Sequence, residues 1–179
     1  MRLIAALLIG LAGTPALSEV LDGPLFADLN GDGMAEAFTL EQIEIPYVQL
    51  VVRNTGGAPI VVSDIAWAGG MSSPPYLSLT EFGSVQVTSQ NDAVGRVRWE
   101  LTLTLAHRQG ALRVAGITYS WRDTFDLDDF GSCDLNLLTG RGETSRSGNK
   151  PFAITVAGGA PLVTDFQSET LALPAECQN

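Results

Sequence analysis

The segment VRWELTLTLAHRQGALRVAGITYSW, running from Val97 to Trp121, decides the fold class. Val97, Trp99, Leu101, Leu103, Leu105 and His107 alternate with Arg98, Glu100, Thr102, Thr104 and Ala106. A period of two sends one set toward a core and the other toward water, which is the pattern of a half-buried β-strand. Arg108-Gln109-Gly110 then turns the chain, and residues 111–121 return as a second long strand, predicting an antiparallel hairpin. In the return strand the apolar phase runs through Leu112 and Val114 and then jumps to Ile117, Tyr119 and Trp121. The slip falls at Ala115-Gly116 and predicts a β-bulge there.

The same grammar extends outward. Residues 47–53 and 59–62 flank Asn54-Thr55-Gly56-Gly57, and residues 76–80 and 85–89 flank Phe82-Gly83-Ser84, so each pair reads as a hairpin. Residues 133–138, 142–145 and 152–156 are shorter strand candidates between glycine-rich turns. No amphipathic helix competes with them. The expectation is an all-β fold, an antiparallel sandwich or barrel-like sheet of roughly nine short strands. Residues 69–75 read as an irregular loop rather than a linker, and residues 162–179 leave room for a helical turn. The 179 residues are 45% hydrophobic and 17% charged, enough apolar material for one ordinary domain at residues 19–179. Twenty acids against ten bases disfavour a nucleic-acid partner and suit cations better.

An export signal is expected at residues 1–18. Arg2 supplies a positive start, residues 3–12 an apolar run, and residues 13–18 a stretch of small and polar residues, with cleavage expected after Ser18 or, second, after Ala16. The apolar run is shorter than the roughly 20 residues of a membrane helix, and no membrane span is expected after cleavage. The destination is therefore periplasmic or secreted. Such a compartment is oxidising and lets the two cysteines, Cys133 and Cys177, form a disulfide. Two free thiols or an intermolecular bridge are the competing readings.

Chemistry is concentrated at residues 27–38, ADLNGDGMAEAF. Asp28, Asn30 and Asp32 offer side-chain oxygens at alternate positions, Met34 a backbone carbonyl, and Glu36 a carboxylate that can bind through both oxygens. Calcium takes about six to eight oxygen ligands around a tight loop, and Gly33 stands where such a loop must turn sharply. An EF-hand would need its last acid at the twelfth place, which is Thr39, so this is not an EF-hand. Asn-Gly and Asp-Gly also form plain β-turns without any ion, but a turn alone does not require acids at Asp28 and Glu36.

The loop resembles the calcium loop of FG-GAP and VCBS-type repeats, in which a DxNxDGxxD-like segment joins two β-strands and the last acid stands at the ninth place. Asp28, Asn30, Asp32 and Glu36 fall on those positions in a single copy, with Glu in place of the commoner Asp. The resemblance implies one structural Ca2+ in a β context. Residues 98–121 together with CDLNLLTGRGE at 133–143 look like a group of uncharacterised exported bacterial proteins with an early NGDG loop and an NLLTGR-type segment. That likeness spans residues 28–143 and implies no activity.

A second acidic run holds Asp123, Asp126, Asp128 and Asp129, with Asp134 beyond. Its spacing matches no known metal loop, and it reads first as a solvated segment. There is no GxSxG elbow, HExxH helix or phosphate-binding glycine loop. The sole histidine, His107, reads as a rim residue of its strand, Trp99 and Trp121 as core, and Trp67 as a surface aromatic. Two functions follow. The first is an exported non-enzymatic β-domain, calcium-stabilised, that binds an envelope or secreted macromolecular partner. The second is a small hydrolase of an envelope polymer using carboxylates from the 123–129 run, which requires one of them in a cleft with a raised pKa.

Overall fold

The computed structural model describes residues 18–54, 56–157, 159–167, 173 and 175–177; the expected export signal, Ser18 apart, lies outside the described residues. Eleven strands follow one another: β1 Glu19–Ala27, β2 Glu36–Glu44, β3 Tyr47–Arg53, β4 Ile60–Trp67, β5 Tyr76–Leu79, β6 Val85–Asn91, β7 Val97–Arg108, β8 Ala111–Asp123, β9 Phe130–Asn136, β10 Arg141–Arg146 and β11 Phe152–Thr155. They form two antiparallel meanders. One sheet has the order β1-β2-β3-β4 and the other β11-β10-β9-β8-β7-β6-β5. The all-β expectation holds, and of its two forms the open sandwich is present and the closed barrel is not.

The strand count of roughly nine falls short by β1 and β2, the pair that flanks the 28–35 loop. Their pattern hides them. β1 carries Gly23-Pro24 and slips register twice against β2, between Val20 and Asp22 and between Asp22 and Leu25. β2 buries Phe38 and Leu40 but also Glu36, Thr39 and Glu41, so no hydrophobic alternation marks it. Nor are all the strands short: β7 and β8 have 12 and 13 residues.

The hairpin of β7 and β8 is the spine of the larger sheet. Gln109 and Gly110 adopt φ of 54° and 75°, the two positive angles of a tight turn matched to strand twist. Register runs from Arg108 opposite Ala111 to Leu105 opposite Val114, then resumes with Thr104 opposite Gly116. Ala115 is the extra residue, so the bulge lies where the change of apolar phase places it.

The inner faces of the two sheets make one core. Phe38, Leu40, Leu50 and Val62 from the smaller sheet meet Val87, Leu103, Leu105 and Val114 from the larger, joined by Val163 and Phe166. The edges touch through Asp22, whose carboxylate accepts the Leu77 N–H at 2.6 Å. The smaller sheet has four strands against seven, and a second apolar cluster forms beyond it around Cys133, Leu135, Ile154 and Cys177. Residues 160–166 run against β8. Val114 N–H donates to Pro161 O at 3.1 Å, Leu162 bridges to Arg113, and a 3-10 turn at Val163–Asp165 inserts Val163 into the main core. Cys177, in a 3-10 turn at Ala175–Cys177, is bonded to Cys133 with Cα atoms 5.3 Å apart.

Candidate metal centre

The 28–35 loop closes the β1-β2 hairpin, and pairing of Ala27 with Glu36 brings its two ends together. Asp28 organises the loop from its first position: one carboxylate oxygen accepts Gly31 N–H at 2.8 Å and Asp32 N–H at 3.2 Å, the other Gly33 N–H at 2.9 Å. Gly31 and Gly33 have φ of 77° and 87°, left-handed conformations that a side chain would strain. Asn30 Oδ1 accepts Asp32 N–H at 2.8 Å, and Asp32 Oδ1 accepts Met34 N–H at 2.8 Å.

Glu36 ties the loop to the sheet. Its oxygens accept Leu29 N–H at 2.9 Å and the Asn30 amide at 2.6 Å, and the same Asn30 amide donates to Asp32 at 3.0 Å. Thus Asp32, Asn30 and Glu36 converge, while Asp28 faces the backbone. Met34, two residues before Glu36, has its side chain exposed. Among the described residues no three His, Cys, Asp or Glu side chains stand together so as to hold a metal ion; the converging set is two carboxylates and an amide. Glu36 is nonetheless only 7% exposed, and among the described residues no Lys or Arg forms an ion pair with it. A buried carboxylate without a counter-charge is costly, so this is the loop's most informative feature.

Beside the loop lies a cleft of about 240 Å³ between the ends of the two sheets. Phe38, Val52, Ile60 and Leu112 supply apolar wall, and Glu36, Asn30, Asn54 and His107 supply polar groups. His107 is half-buried at this rim. Asn54 and the cleft itself escape sequence reading, because they arise where two turns from different sheets meet.

The acidic run occupies the β8-β9 turn at the other end of the sandwich. Asp123 is buried and ion-paired with Arg96, while its second oxygen accepts Phe125 N–H at 2.7 Å and Asp126 N–H at 3.0 Å. Burial pushes its pKa up, but the two N–H groups and the guanidinium outweigh burial and hold the carboxyl below its usual range. Asp126 and Asp128 are exposed; Asp129 pairs with Arg146 at 3.1 Å. Arg146 also lies 5.1 Å from the Trp121 ring centroid. Asp123 therefore organises a turn, opposite in sign to the raised pKa that acid catalysis requires. Trp67 is half-buried rather than a free surface aromatic and packs on Trp99 with centroids 5.5 Å apart.

Glu41 is a third buried carboxylate, and one that the sequence does not single out. Burial raises its pKa, yet hydrogen bonds from Ser18, Gln49 and Arg53 bring it below the usual range. Gln49 stands directly opposite it on β3, so the β2-β3 register is the signal that finds it. Among the described residues no helix is long and apolar enough to cross a membrane. Compared with family models, with curated proteins and with solved structures, the chain matches none.

Proposed function

We propose that this is an exported, non-enzymatic β-sandwich domain, periplasmic or secreted, whose 28–36 loop binds one Ca2+ structurally and which binds a macromolecular partner of the envelope. The observation that carries the calcium reading is Glu36: a buried carboxylate, without a basic partner among the described residues, joined to Asp32 through the Asn30 amide, which donates to both. Side-chain oxygens of Asp28, Asn30, Asp32 and Glu36 and the Met34 carbonyl are the donor set, all of them hard oxygens suited to Ca2+. Bound there, the ion would supply charge compensation and join the two ends of the loop. The loop's likeness to FG-GAP and VCBS-type calcium loops supports the same reading. Export is supported by the amino-terminal pattern and by the Cys133–Cys177 bond.

A melting curve in EGTA and in millimolar Ca2+ tests it. Ca2+ that binds only the folded state adds about 2.7 kcal/mol at a hundred times its dissociation constant. The rise in Tm is expected to vanish in Asp32→Ala and in Glu36→Ala. An unchanged Tm in the unmodified protein overturns the calcium reading.

A further inference from the structure

Glu41 is a buried charge that neither the calcium-type loop nor the acidic turn uses. It is 7% exposed on β2, and donors from two elements hold its carboxylate. Gln49 Nε2 and an Arg53 guanidinium nitrogen donate from β3 at 3.0 Å and 3.3 Å, while Ser18 Oγ, just ahead of β1, donates to Oε2 at 2.8 Å. Arg53 is its one ion-pair partner among the described residues, and that side chain is more than half exposed, so the charge on Glu41 is only partly compensated. Register explains why Ser18 reaches it. Val20 stands opposite Glu41, and Ser18, two residues earlier, shares that face on the diagonal. The backbone nitrogen of Glu19 is separated from Ser18 Oγ only by the Cβ, Cα and carbonyl carbon of Ser18.

The Ser18–Glu19 bond is also the one at which the export signal is expected to end. Its hydrolysis places the hydroxyl of water on the Ser18 carbonyl carbon and leaves the Glu19 nitrogen as an amine, which takes up a proton at neutral pH because an α-amino group has an ordinary pKa of about 8. A neutral peptide N–H thus becomes a cation with three donors, in the same step that removes the Ser18 hydroxyl from Glu41. We infer that in the processed chain the Glu19 α-ammonium takes the place of Ser18 on Glu41, so that removal of the signal creates an ion pair fastening the amino end of β1 to β2. Around this nitrogen, β2 offers Glu41 and the exposed Glu44, β3 Arg53 and Tyr47, β5 Tyr76, and β1 itself Glu19 and Asp22. Acids outnumber the one base, which suits a cation. A hydrogen bond from an ammonium to a carboxylate is about twice as strong as one between neutral groups. β1 is an edge strand that slips register twice before Leu25, yet it carries the 28–35 loop and the Asp22 contact to Leu77. The inference rests on the export part of the proposed function and does not depend on calcium.

Lys150 is the only lysine in the chain, so in Lys150→Arg the α-amine is the sole amine and can be acetylated cleanly. Oxidised Lys150→Arg protein, released from an amino-terminal fusion so that Glu19 comes first, is melted with and without the acetyl group. At pH 7 acetylation is expected to lower Tm by about 2–4 °C. An ammonium paired with a carboxylate holds its proton more tightly in the folded chain than in the unfolded one. Its contribution is therefore full below about pH 8 and lost as pH rises through the higher folded value, and the gap between the two forms should close by about pH 10. The pH dependence of the acetylation rate reads the same group directly, above its ordinary value in the folded protein and back to it in Glu41→Gln. That substitution should also remove the effect of acetylation on Tm. An α-amine of ordinary pKa in the folded protein, or an acetylation effect that persists in Glu41→Gln, overturns the inference. The mass of the exported full-length chain tests the premise separately, with Glu19 expected as first residue. A chain beginning at Leu17 overturns the inference and leaves export standing, whereas one that keeps residues 1–18 overturns the export reading with it.

Discussion

Asp123 shows how one residue converts a local turn into pH-dependent stability. Its carboxylate is favoured in the folded chain by Phe125 N–H, Asp126 N–H and Arg96, and Glu41 is favoured in the same sense by Ser18, Gln49 and Arg53. A carboxyl whose folded pKa lies below its unfolded one binds its proton more readily when unfolded. The stability it contributes is therefore present above the unfolded carboxylate range, about pH 4, and is lost as pH falls through the lower folded value. Urea unfolding between pH 7 and pH 3 is expected to show a falling midpoint below about pH 4. Asp123→Asn should lower stability at neutral pH and flatten that fall; an Asn variant with the same acid slope as the unmodified protein would show that Asp123 contributes nothing to it. The mechanism also explains why the acid run could not be read by composition. Asp123, Asp126, Asp128 and Asp129 look alike in sequence, and only the turn geometry separates the buried organiser from its exposed neighbours.

At the scale of elements, the β7-β8 hairpin was legible in full because each of its faces meets a single environment. Leu101, Leu103 and Leu105 point to the core and Glu100 to water, so the alternation survives. The change of apolar phase at Ala115 is equally direct, since one extra residue is the only way to keep Ile117 and Trp121 on the inner face. β1 and β2 were not legible. Glu36 and Glu41 are buried charges, and their strand reads as polar until their partners on neighbouring elements are known. The calcium-type loop between them was readable from spacing, whereas the cleft beside it was not. The bulge also sets which residues meet beyond it: a ladder that ran on from the Gln109-Gly110 turn with Ala115 paired would place Arg98 opposite Trp121 rather than Arg122. Deleting Ala115 itself would leave Thr104 opposite Gly116 and bring Ile117, Tyr119 and Trp121 into one phase with Val114, so urea unfolding should show a loss below about 3 kcal/mol, limited to straightening the strand and to the hydrogen bond that Ala115 O accepts from Leu137 N–H. Gly142→Ala is a milder probe of the next hairpin. A Cβ there would stand 2.2 Å from the Asp134 carbonyl oxygen, a backbone atom held by the β9-β10 pairing. A loss of about 1–3 kcal/mol is expected, and a neutral Gly142→Ala would mean that β9 and β10 can separate freely.

At the scale of the molecule, two apolar clusters of unequal size share one sheet. The larger is closed by the four-stranded sheet; the smaller depends on the carboxy-terminal segment, which crosses β8 at Leu162 and reaches Cys133 through Cys177. Among the described residues four buried ones form that second cluster, two of them the bonded cysteines, so much of its stability is delegated to the covalent link. The bond spans 44 residues, and in the chain-entropy account it restricts the unfolded chain by about 4 kcal/mol. Reduction, or the double change Cys133→Ser and Cys177→Ser, should lower stability by roughly that amount. The loss should also be uneven in space. β9, β10 and β11 and residues 160–166 would become the easiest part to open, while amides of β7 and β8, packed on both neighbours and on the main core, keep their protection. Hydrogen exchange of the oxidised and reduced forms distinguishes the two cases. Faster exchange confined to β9–β11 and the carboxy-terminal segment is the expected result, and a uniform rise across both sheets would show instead that the two clusters unfold as one unit and that the disulfide stabilises them together.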